Sequence, residues 1–170
     1  MEIRHLLSCG DSAIREVIHR IAGEPVDELE RRLAGVAESV GEEFGVVVRM
    51  ELGPLAGVPR HVADAAVKVA REGIVNAAKH AGPCQIILAA KLTRDGALHG
   101  AGALNGSMSG AGALLVAVTD DGLGLGRAAP GSGGYGLGSL RRAVVDAGGE
   151  LGVDTAAGGL GARVWASFPL

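Results

Sequence analysis

The order in which apolar patterns follow one another constrains this chain most. VVVRMEL (46–52), CQIILAAKL (84–92), ALLVAVTDDG (113–122), GELGVDTAA (149–157) and ARVWASFPL (162–170) read as strands. Their β-branched residues suit a pleated, half-buried surface, and glycine or proline bounds the runs. Between them, apolar residues recur three and four apart. Leu29, Leu33, Val36 and Val40 mark a helix in VDELERRLAGVAESVGEEFG, opened near Pro25. PRHVADAAVKVAREGIVNAAKHAG marks a long helix from about Pro59 to Gly82-Pro83, and a short one runs from about Leu137 to Ala147. Ahead of these, SAIREVIHRIAG places Ile14, Val17, Ile18 and Ile21 on one stripe behind a capping Asp11 or Ser12. The order is helix, helix, strand, helix, strand, strand, helix, strand, strand. It lacks the regular alternation of a doubly wound parallel sheet. It predicts an α+β fold, with helices packed on one face of a mixed sheet of about five strands.

Composition narrows the function classes. At 170 residues and 48% hydrophobic, the chain is sized for one domain with a real core. Aromatics make up only 2%, so single-stranded nucleic-acid binding by base stacking is not expected. A net charge of −3 supplies no basic field for DNA or a membrane. Cys9 and Cys84 are too few for a disulfide scaffold, and no Cys/His spacing suggests zinc. The charged N-terminal stretch is unlike a signal peptide, and no apolar run reaches the roughly 18 residues of a membrane helix. The expectation is a cytoplasmic, soluble domain. The 29 glycines follow no triplet period and cluster in short groups. The segment TRDGALHGAGALNGSMSGAG (93–112) reads as a flexible connection of low complexity.

Three motifs carry polar residues in positions that suit chemistry. In REGIVNAAKHAG, Glu72 and Asn76 are four apart, with Lys79 and His80 continuing along that side of the helix. Val67, Ala70, Ile74, Ala77 and Ala81 form the opposite, apolar side. In TDDGLGLG, a strand ends in Asp120 and Asp121, followed by Gly122 and Gly124. A carboxylate there can accept a hydrogen bond from an amino group, and glycine lets a ring approach the backbone. In GGYGLGSL, Gly134, Gly136 and Gly138 alternate at the opening of a helix, where free backbone N–H groups attract anions. The spacing is neither the dinucleotide fingerprint nor a Walker A loop. Each motif alone also suits a plain structural role: a solvated helix face, an Asp-Gly turn, a flexible loop.

Taken in this order and context, the motifs resemble the ATP-binding catalytic domain of bacterial sensor histidine kinases, and more narrowly the type of the nitrate and nitrite sensors. REGIVNAAKHA resembles the N box, TDDGLGLG the G1 box, and the chain from Gly133 onward the G2 box and closing strands. The superfamily, which includes gyrase and the MutL repair protein, shares a Bergerat-type two-layer ATP fold. The resemblance covers about 29–170 and leaves 1–28 as an N-terminal helix or the remnant of a helical linker. It implies ATP and Mg²⁺ as cofactors. Asn76 would ligate the metal, Glu72 would act as general base or through the metal's shell, Lys79 would meet a phosphate, and His80 would line the site. Asp120 would accept the adenine amino group, and Gly122 and Gly124 would admit the ring. Gly134, Gly136 and Gly138 would wrap the phosphates, with Leu137 offering its backbone N–H and 125–133 forming a short lid. Two departures stand out. Ala162 occupies the place of a usual threonine, and 93–112 is longer than the usual hairpin.

Such a kinase transfers the γ-phosphoryl to a histidine on a separate dimerising hairpin and serves a response regulator. Neither His5 nor His19 is followed by an acidic residue, and the chain between His19 and Asn76 leaves little room for a hairpin's second helix. His5, His61 and His99 read as surface histidines. The expectation is therefore a catalytic domain, monomeric by itself, whose target histidine lies elsewhere. Two alternatives stay open: an anti-sigma-type serine kinase of the same superfamily, and a non-catalytic nucleotide-binding regulatory module.

Overall fold

A computed structural model of the chain describes residues 27–82, 84–93, 112–123, 134–156 and 161–170. The stripe from Ile14 to Ile21, Gly124, the expected lid, most of 93–112 and the glycine turn at Gly158-Gly159 lie outside those residues. The elements are α1 (Glu28–Phe44), β1 (Val48–Leu52), α2 (Arg60–His80), β2 (Ile86–Thr93), β3 (Ala113–Asp120), α3 (Gly134–Asp146), β4 (Glu150–Thr155) and β5 (Ala162–Pro169). The five strands form one sheet in the order β1-β2-β3-β5-β4. β1 runs parallel to β2, while β2–β3, β3–β5 and β5–β4 are antiparallel. The sheet is mixed, with its helices on one side, as the order of patterns predicts.

Side chains sort by the two-residue period of the strands. Ile86, Leu88 and Ala90 of β2, Leu114, Val116 and Val118 of β3, and Val164, Ala166 and Phe168 of β5 are buried in the core under the helices. α2 lies against β3 and β5, with α1 on the β1 side of it and α3 on the β4 side. Its buried face is made of Val62, Ala66, Val69, Ala70, Gly73, Ile74 and Ala77. Small residues there let the helix axis come close to the sheet. At Gly73 an added Cβ would stand 2.8 Å from Val118 Cβ, so only glycine fits without movement.

Helix ends differ slightly from the sequence expectation, for local reasons. α1 begins at Glu28 instead of near Pro25, because the Asp27 carboxylate accepts the Leu29 N–H at 2.8 Å and caps it. α3 begins at Gly134, three residues before the expected Leu137. Its alternating glycines are poor helix formers. The core contacts of Leu137, Leu140 and Val144 accompany a helix that nonetheless runs through them.

Candidate functional site

Asp120 is the one charged side chain buried among the described residues, 7% exposed at the C-terminal end of β3. Its Oδ1 accepts two backbone N–H groups, from Gly122 at 3.0 Å and from Ala162 at 3.3 Å. A buried carboxylate is costly unless it is hydrogen-bonded, and these two donors fix its orientation. The next residues tie the same turn to two other elements. Asp121 Oδ1 accepts the Gln85 N–H at 2.7 Å, just ahead of β2, and Leu123 N–H donates to the carbonyl of Ala81 at 3.1 Å, at the end of α2. The four-residue turn 120–123 therefore joins β2, α2 and β5.

Its glycines serve this joint. A Cβ on Gly122 would overlap the Ala81 carbonyl oxygen, so this residue allows the turn to seat against the end of α2. Gly161 has φ +83°, a left-handed conformation, and a Cβ there would run into the carbonyl oxygen of Asp120. Gly161 thereby brings the Ala162 amide onto the carboxylate.

The helix of Asn76 ends beside this joint, with Ala81 as its C-cap and Gly82 left-handed after it. Glu72 and Asn76 are half-buried one turn apart, while Lys79 and His80 in the last turn are exposed. The Lys79 ammonium lies 5.8 Å from the centroid of the Phe44 ring, at the end of α1. Of the expected apolar side, Ala70, Ile74, Ala77 and Ala81 are buried, and Val67 is half-buried. Gly134, Gly136, Leu137 and Gly138 occupy the first turns of α3, with Leu137 half-buried and Gly138 exposed. Asn76 and Glu72 offer hard oxygen donors of the kind Mg²⁺ takes. Among the described residues no cluster of three or more His, Cys, Asp or Glu could hold a metal by itself. By donor type alone, Asn76 and Glu72 suit a magnesium ion that takes most of its oxygen ligands from elsewhere.

Several contributors were invisible to residue-type reasoning because they are backbone groups: the amides of Ala162 and Gln85 and the carbonyl of Ala81. Cys84 is a free, half-buried thiol beside the turn, and burial first, then the charges of Asp120 and Asp121, pushes its pKa up. A groove of about 350 Å³ between α2 and α3 is lined by His61, Lys68, Arg142 and Asp146 among others. It opens beside the first half of α2, away from Asn76, and plays no part in this arrangement.

No protein-family profile matches the sequence, and no curated protein sequence is similar to it. Solved structures are similar. The histidine kinase domain of the Erythrobacter litoralis EL346 blue-light activated histidine kinase aligns at TM-score 0.60 and 25% identity, covering 89% of this chain and 68% of that one. In a longer chain of that protein the match spans 44% of its length. The mycobacterial sensor histidine kinase MprB aligns at TM-score 0.56 and 21% identity, over 86% of this chain and 97% of that one. Full-length ShkA in complex with AMPPNP aligns at TM-score 0.58 and 23% identity, over 85% of this chain and 30% of that one. These structural neighbours are histidine kinases or their domains, and this chain shares their fold.

Proposed function

We propose that this chain is the ATP- and Mg²⁺-binding catalytic domain of a two-component sensor histidine kinase, with motifs spelled as in the nitrate- and nitrite-sensor type. One observation carries the proposal above the rest: a buried carboxylate, Asp120, held by two backbone amides at a joint shared with the helix of Asn76. A carboxylate so anchored through Oδ1 can direct Oδ2 at the amino group of adenine. Selectivity follows, because a base without that donor leaves a buried acceptor unpaired at a cost of about 1–3 kcal/mol. The ShkA structure was solved with an ATP analogue. That makes a nucleotide the natural ligand to test here.

The remaining roles follow from position. Asn76 holds the metal, which neutralises phosphate charge when bound, and Glu72, one turn earlier, orients the attacking group. Lys79 and His80 meet the phosphates from the last turn of α2. The N–H groups at the start of α3, from Gly134 through Leu137 and Gly138, receive phosphate oxygens. Gly122 and Gly124 border the base. Phosphoryl transfer of this kind asks the protein for positioning and charge neutralisation more than for covalent chemistry. The acceptor is a histidine on a separate dimerisation domain, with a response regulator downstream, and the chain acts as a monomeric, cytoplasmic portion of that system.

The test is ATP binding by calorimetry, with and without Mg²⁺, for the wild type, Asp120→Ala and Asn76→Ala. Asp120→Ala should weaken binding on the order of 10- to 100-fold, and Asn76→Ala should remove the Mg²⁺ dependence. Wild-type affinity in Asp120→Ala sinks the site assignment. A histidine-bearing hairpin domain supplied in trans should then acquire acid-labile phosphate from ATP. Binding without any transfer at saturating ATP points instead to a regulatory nucleotide-binding module.

A further inference from the structure

The geometry points to Phe44, the last residue of α1, as a positioning residue that competes with the nucleotide phosphates for Lys79. This goes beyond the motifs, in which Phe44 has no place, and it rests on nucleotide binding at the site proposed above. The starting fact is the Lys79 ammonium 5.8 Å from the Phe44 ring centroid, within the roughly 6 Å reach of a cation–π contact. Phe44 is anchored. It is half-buried, packs against the core, and ends a helix closed by Gly45 in the left-handed conformation. Lys79 is exposed, on a flexible stem.

Helix geometry shows that the stem can serve two directions. At about 100° per residue, Lys79 lies about 60° around α2 from Asn76 and about 60° in the other sense from Asp64. Asp64 marks the α1 side, because Arg32 of α1 reaches it at 2.7 Å. Asn76 marks the side proposed to face the metal. Lys79 stands between the two, and the contact with Phe44 draws its ammonium toward α1. A triphosphate must draw it back. The contact therefore lowers affinity for ligands that carry phosphates and leaves affinity for the nucleoside alone untouched.

The experiment measures dissociation constants for ATP, ADP and adenosine in the wild type, Phe44→Leu, Phe44→Tyr, Lys79→Met and the double variant Phe44→Leu/Lys79→Met. Phe44→Leu keeps an apolar side chain at the helix end and should tighten ATP about two- to fivefold, the size of an exposed cation–π contact. Adenosine affinity should not change. Phe44→Tyr keeps the ring and should bind ATP like the wild type. In the Lys79→Met background, Phe44→Leu should have no effect. The proposal is overturned if Phe44→Leu leaves ATP affinity unchanged, shifts adenosine equally, or still acts without Lys79. Failure of the wild type to bind ATP removes the nucleotide site and this proposal with it, whereas intact ATP binding with an inert Phe44→Leu removes this proposal alone. If Phe44→Leu melts early, Phe44→Met provides the same comparison.

Discussion

Asp120 and Cys84 share one small region, and the carboxylate disfavours the thiolate. Burial and the two neighbouring carboxylates hold the Cys84 thiol protonated to higher pH than an ordinary cysteine. In a Cys9→Ser background, Cys84 should alkylate slowly near pH 8. Asp120→Asn, which removes one of the two charges, should speed that alkylation and move its pH midpoint down. The folded pKa is the higher one, so whatever stability this group contributes is present below the unfolded thiol's pKa. It is lost as pH rises through the folded value. An alkylation profile unchanged by Asp120→Asn would contradict the assignment. Gly73 illustrates a different limit. An alanine there improves helix propensity by about 1 kcal/mol, but its methyl meets Val118, and overpacking typically costs about 1–3 kcal/mol. Gly73→Ala should therefore destabilise by about 1 kcal/mol in urea titration. In a Val118→Ala background the same change should stabilise.

At the level of elements, two local devices hold the layers in register. The Asp27 cap sets where α1 begins, and its loss in Asp27→Ala should lower the unfolding free energy by about 1 kcal/mol, read as a lower urea midpoint with an unchanged slope. On the sheet face away from the helices, Trp165 lies across Gly152, its partner in the β4–β5 ladder, and its indole Nε1 donates to Asp154 at 2.6 Å. A Cβ on Gly152 would overlap the indole ring. Trp165 is the chain's single tryptophan and is 6% exposed, so its emission should be blue-shifted and poorly quenched by acrylamide. Gly152→Ala should displace the ring, shift emission to the red and open it to quenching. Emission that stays blue in Gly152→Ala would show that the ladder can absorb a methyl there.

For the whole molecule, ligand binding and stability are linked. If the joint at 120–123 is the floor of a nucleotide site, saturating ligand should hold β2, α2 and β5 together. ATP with Mg²⁺ at a hundredfold excess over its dissociation constant should add about 2.7 kcal/mol, which for a chain of this size raises the melting temperature by about 5–10 °C. Asp120→Ala should lose most of that shift. Among the described residues, no helix is long and apolar enough to cross a membrane.

The sequence by itself determined the elements and the layering of helices on one face of a mixed sheet, while the strand order β1-β2-β3-β5-β4 belongs to the tertiary structure. Apolar periodicity placed all five strands and three of the helices within a few residues, since burial of one face is what forms each element. The order of the polar motifs singled out Asp120 and Asn76 as residue types in suggestive contexts. Only the tertiary structure decided how they are held. The amide of Ala162 reaches Asp120 across 42 positions of chain. Leu123 bonds the end of α2, and Lys79 rests over Phe44 from another helix. Every one of these contacts is long-range, and two of them use backbone groups that every residue carries. A one-dimensional pattern of side chains records which faces must be buried. It does not record which backbone amide will meet a given carboxylate, because that depends on how three separate segments pack.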